Sequence, residues 1–80
     1  MINEKWRFFK SVIDGEMLRI NGLNIWDYSW IDLGRPIILK DPIYGQDHVM
    51  RIYLIRNGSE EIIFGAGEFS NMVWGIYLPD

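Results

Sequence analysis

Residues Ile62 to Tyr77 constrain the fold of this chain more than any other segment. Three glycines, Gly65, Gly67 and Gly75, and one acidic residue, Glu68, are set among closely spaced large apolar side chains. Short apolar runs broken by glycine are strand patterns rather than helix patterns. The arrangement predicts two strands, Glu60–Phe64 and Met72–Leu78, joined by a tight, backbone-exposing loop over residues 65–71. Glycine lets a backbone approach a ligand closely, so the loop is a place for a site.

The phosphate-loop reading of Gly65-Ala66-Gly67 fails on its details. No third glycine follows at the required spacing, no Lys-Ser/Thr pair comes after, and Glu68 would repel an anion. A bulge or tight turn is the better reading, with the Glu68 carboxylate capping the N–H groups of Ser70 or Asn71. Gly75, beside Trp74, relieves packing under a ring or marks a bend.

Size sets the next limit. Eighty residues make one domain, residues 1–80, with a thin core. Four each of Trp, Tyr and Phe offset this, since each buried ring removes on the order of 150–250 Å² from water. There is no cysteine, so the disulfide framework of small secreted domains is excluded. The first residues lack the basic and apolar regions of an export signal, and no run approaches the ~18 apolar residues of a membrane span. The expectation is a cytosolic (cytoplasmic) protein that engages no membrane. Asn57-Gly58-Ser59 matches a glycosylation sequon formally, but in that setting it reads as a turn.

The N-terminal fifteen residues read as an amphipathic helix. Ile2, Trp6, Phe9 and Ile13 recur at spacings of four, three and four, with Asn3 as N-cap and Gly15 as stop. The rival is a strand turning at Asp14-Gly15, which would place apolar and polar residues on both faces. From Met17 onward the pattern is β. Met17–Ile20 is a short strand and Asn21-Gly22 a turn. Asn24–Ile31 alternates Trp26, Tyr28 and Trp30 with polar residues, Ile37–Lys40 is another strand, and Asp41–Gly45 is a turn set by Pro42. His48–Arg56 is apolar on both faces and so reads as a central strand. A type I′ turn centred on Asn57-Gly58 returns it. The predicted fold is α+β: one N-terminal helix on an antiparallel meander of about five strands, whose closure into a small half-open barrel the sequence leaves undecided.

Chemistry-bearing residues are few. His48, the single histidine, suits acid–base work with Asp47 or Glu68, but no nucleophile motif accompanies it. A zinc site would need Asp41, Asp47 or Glu68 recruited across loops, and no calcium loop is present. No catalytic residue, metal ligand or cofactor is therefore assigned. The candidate binding residues are Trp30, Tyr44, His48 and Glu68: two rings expected near the surface, the lone imidazole, and the loop carboxylate. The net charge is −3 with no Lys/Arg cluster, which excludes a nucleic-acid footprint and permits a basic protein partner. The stretch from Phe64 to Tyr77 looks like segments of small bacterial proteins, and no activity is carried over from that likeness.

Three functions remain open. The first is a binding or interaction module without catalysis, of which an immunity-type inhibitor that masks a toxin is one version. The second is a homo-oligomer self-associating through an edge strand, with Met72–Leu78 as that edge. The third is a small enzyme using His48.

Overall fold

The computed structural model describes residues 5–80, and among them there is no α-helix. Seven strands follow in order: β1 (Trp6–Ile13), β2 (Arg19–Ile20), β3 (Leu23–Asn24), β4 (Ile31–Lys40), β5 (Asp47–Asn57), β6 (Glu60–Ser70) and β7 (Val73–Pro79), with one 3₁₀ turn at Ile25–Asp27. Five of them form an antiparallel sheet in the order β1-β7-β6-β5-β4, and β2 and β3 form a separate hairpin. Among the described residues no helix is long and apolar enough to cross a membrane. The fold is all-β, which overturns the α+β expectation.

The predicted helix is strand β1. Its proposed cap, Asn3, and the first residue of its apolar stripe, Ile2, lie outside the described residues. The objection to a strand was the mixing of residue types on both faces, and a bulge removes it. Phe8 pairs with Tyr77 and Lys10 with Ile76, leaving Phe9 as an extra residue. One inserted residue exchanges the faces of everything after it. Trp6 and Phe8 therefore point to one side of the sheet, and Val12 to the other. Apolar spacings of three and four arise from this phase change as readily as from a helix.

The two faces are covered differently. On the first, Ile55, Ile62, Phe64, Ala66, Ile76 and Val12 meet Leu18, Ile20 and Ile25 from the β2–β3 hairpin and the 3₁₀ turn. Asn21 and Gly22 both have positive φ (51° and 83°), as the type I′ turn of that hairpin requires. Trp26, Tyr28 and Trp30 pack on this core from an irregular segment, not from the strand their alternation suggested.

On the second face Met50, Ile52 and Tyr77 are buried by side chains of the sheet itself: Trp6, Phe8, Ile37, Leu39 and Phe69. Glycine makes the room. A Cβ on Gly65 would lie 2.2 Å from Met50 Sδ, and one on Gly75 would lie 2.1 Å from the Phe69 ring. The ring occupies the space a side chain at 75 would take, as the relief of packing predicted for Gly75 requires. Gly65-Ala66-Gly67, however, is the interior of β6 and not a loop. The connection between the last strands shortens to Asn71-Met72, because Ser70 already pairs with Val73.

Two further expectations change. Asn57 pairs with Glu60, so the β5–β6 turn is centred on Gly58-Ser59, and among its residues only Gly58 has positive φ (64°). This matches a II′ pattern and not the I′ pattern expected. β7 lies between β1 and β6, so Met72–Leu78 is not an edge; the edges are β1 and β4. Both are interrupted: β1 by the Phe9 bulge, and β4 by a bulge between Asp32 and Pro36. Arg51 holds the second one, its Nε donating to Asp32 Oδ2 at 2.7 Å while Gly34 N–H donates to Asp32 Oδ1 at 2.7 Å.

Gly75→Ala should destabilise the domain by about 1–3 kcal/mol, the usual cost of overpacking. Urea unfolding of Gly75→Ala, Phe69→Ala and the double variant checks the cause. The double variant should lose less than the two single losses combined, because removing the ring vacates the space the new Cβ needs. Strict additivity would show that the ring and the glycine do not share that space.

Candidate functional site

The turn from Asp41 to Gln46 joins β4 to β5, and Asp41 at its first position is 0 % exposed. An ionised carboxylate is acceptor-only, and burying one is costly unless it is paired. Here Oδ1 accepts the N–H of Ile43 at 2.9 Å, of Gly45 at 3.3 Å, and of Tyr44. Oδ2 accepts the N–H of Gln46 at 3.3 Å and faces His48 Nε2 at 2.6 Å. The main chain closes the same turn, with Asp41 N–H donating to Gln46 O at 2.8 Å. Aspartate opens such turns because its side chain reaches the N–H groups two and three residues ahead, and Pro42 presets the next φ.

Burial pushes the Asp41 carboxyl up, but the bonds from Tyr44 N–H, His48 and Gln46 N–H, together with the charge of His48, outweigh it. The group sits below its ordinary range and stays ionised. Its field reaches β7, where burial first and then the Asp41 charge raise the Tyr77 phenol above its usual value.

His48 links this turn to the glycine-bearing face. With a carboxylate as partner, its Nε2 carries the proton. The ring lies 4.6 Å from that of Phe69, which covers Gly75. The imidazole is thus wedged between a buried carboxylate and a core ring, with 12 % of its side chain exposed. An Asp–His distance of 2.6 Å lies within the reach that general-base chemistry requires. Asp41 is the partner, not the expected Asp47 or Glu68, and its remaining lone pairs hold the turn. No serine hydroxyl is hydrogen-bonded to the ring among the described residues, and the chain has no thiol. No group of three or more potential metal ligands occurs among the described residues.

The four predicted residues do not converge. Tyr44 and His48 meet through Asp41. Glu68 is an exposed strand residue opposite Trp74, so it closes no turn. Trp30 belongs to the first face, where its Nε1 donates to Ile25 O at 2.8 Å and its ring lies 4.9 Å from both Trp26 and Phe64. A surface cleft of about 370 Å³ lies at the other end of the sheet, between Ile20, Asn21, Glu61 and Leu78, and contains none of the four.

The register instead assembles something the sequence does not show. The β4–β5 turn, the β6–β7 turn and the end of β1 all lie at one end of the sheet, since Ile13 pairs with Val73, Ser70 with Val73, and Ile38 with Val49. Asp14 N–H donates to Met72 O at 2.7 Å, tying two of these turns together. Ile13, Met17, Ile38, Ile43, Tyr44, Val49 and Met72 are all at least half exposed there. Met72 holds φ at +63°, a conformation uncommon for a residue with a side chain. Asp41 was legible as a turn opener from its Asp-Pro-x-x-Gly context. The clustering of these apolar residues had no sequence signal, because they come from five separate segments.

Comparison with known proteins finds no matching family model, no similar curated protein and no similar solved structure. Function must be argued from the surface and the site.

Because the Asp41 pKa is lower in the folded chain than in the unfolded one, its contribution to stability is complete above about pH 4 and is lost as pH falls through the folded value. Denaturant unfolding of the native chain and of Asp41→Asn, from neutral pH down to about pH 2, should show their stabilities converging below about pH 4. A gap that stays constant over that range would show that Asp41 is not held as an ionised acceptor.

Proposed function

We propose that this chain is a cytosolic protein-interaction module without catalysis, and that it binds through the turn-bearing end of its sheet. The observation that carries the reading is the concentration there of exposed large apolar side chains, led by Ile38 and Tyr44, each 68 % exposed. Single exposed apolar residues need no explanation, but Ile38 paired with Val49 at the base of the turn that carries Ile43 and Tyr44 is a local group of the kind that marks an interaction surface. Toward the opposite end the exposed apolar residues are fewer and less exposed, Ile31, Leu33 and Ile63 at 40–45 %, and they sit among Arg56, Glu60, Glu61, Arg7 and Asp80.

Asp41 supports the same reading. Its buried charge immobilises an exposed turn, and so fixes the backbone that carries Ile43 and Tyr44. Ordering a loop before binding removes part of the entropic cost of association. Tyrosine is a common anchor of such interfaces. The lack of cysteine suits a reducing compartment.

A photo-crosslinking residue in place of Tyr44 should trap a discrete partner in the cells of origin, and the same residue in place of Glu60 should not. Once the partner is identified, Tyr44→Ala should weaken binding by about 2 kcal/mol without altering the melting temperature. Equal crosslinking from both ends, or from neither, would exclude this surface.

A further inference from the structure

We infer that the partner presents a cationic amphipathic segment, in which lysine or arginine side chains alternate with apolar ones. This rests on the reading above and adds the charge of the partner to it. Asp14, Glu16, Asp47 and Glu68 are all exposed, and all lie at the apolar end by the same strand register. Lys40 lies among them, 3.6 Å from Asp47, and the next cation along the strands is Lys10, two residues from the Val12 that shares a row with Glu68. The opposite end is balanced, with Lys5, Arg7 and Arg56 against Glu60, Glu61 and Asp80. At the apolar end, exposed carboxylates therefore outnumber lysine and arginine side chains.

Two of these carboxylates are fixed in place. Asp14 Oδ1 accepts Trp74 Nε1–H at 3.0 Å, and Glu16 Oε1 accepts the N–H of Ile13 at 3.0 Å. Both anchors belong to the sheet, so the acidic rim and the apolar centre form one surface. A rim of one sign selects a partner of the other and speeds its approach. It also disfavours two alternatives. A second copy docked across a two-fold axis would bring carboxylates against carboxylates. An anionic lipid surface or a nucleic-acid backbone would meet the same repulsion.

The test is an amide chemical-shift titration of the isotope-labelled chain with three short synthetic peptides. All share one spacing of leucines and differ in the intervening residues: lysine, glutamine or glutamate. The lysine peptide should shift the Met17, Tyr44 and Met72 amides saturably, and bind at least about tenfold more tightly than the glutamine peptide. Its affinity should fall as salt rises from about 0.05 to 0.5 M. The double variant Asp47→Lys, Glu68→Lys should lose that preference while melting as the native chain does. Equal binding of the lysine and glutamine peptides at this end overturns the charge assignment and leaves the apolar surface standing. Preferential binding of the glutamate peptide overturns it too. If no peptide moves these amides, or all of them act elsewhere, both the charge assignment and the interaction surface fall.

Discussion

A five-stranded sheet has two apolar faces, and this chain supplies one covering layer. The β2–β3 hairpin and the aromatic segment after it close the first face over Phe64, Ile55 and Ile76. The second is closed by the sheet's own side chains, which is sterically possible only where neighbouring positions have none. Gly65 accommodates Met50, and Gly75 accommodates the Phe69 ring. Gly67 allows an approach in which an added Cβ would come within 2.9 Å of the Val49 carbonyl oxygen. The glycines that suggested a ligand loop are thus the means by which a small chain buries a second face.

That packing carries outward to the surface. Phe69 covers Gly75 and supports His48, His48 meets Asp41, and Asp41 holds the N–H groups of an exposed turn. Each link is a direct contact. A buried carboxylate partnered on one side alone would be costly; here backbone donors and an imidazole share it. The result is a rigid turn displaying Ile43 and Tyr44 beside Ile38 and Val49, with an acidic rim around them.

Legibility differed from element to element for physical reasons. β5 was readable because apolar residues occupy both its faces with only Arg51 intervening, and the Asn21-Gly22 turn because few residues adopt positive φ in succession. β1 was misread because a single bulged residue, Phe9, changes the phase of the pattern, and periodicity cannot tell a slipped period of two from a helical repeat. Gly65-Ala66-Gly67 was misread because glycine signals a turn and a close approach equally. Of the candidate site, Tyr44 and His48 were legible, and Asp41 was legible as the opening of an Asp-Pro-x-x-Gly turn but not as their common partner.

The amino-acid sequence determined by itself that this is a small, ring-rich, β-dominated chain with no disulfide, little acid–base chemistry and a modest negative charge. These follow from composition and local pattern, which are properties of neighbouring residues. The tertiary structure alone decided that the last strand is interior, that His48 meets Asp41, and that Asp14, Glu16, Asp47 and Glu68, far apart in the chain, lie at one apolar end. Each depends on the register in which distant strands pair, and register is set by the burial of whole faces, to which no short segment has access.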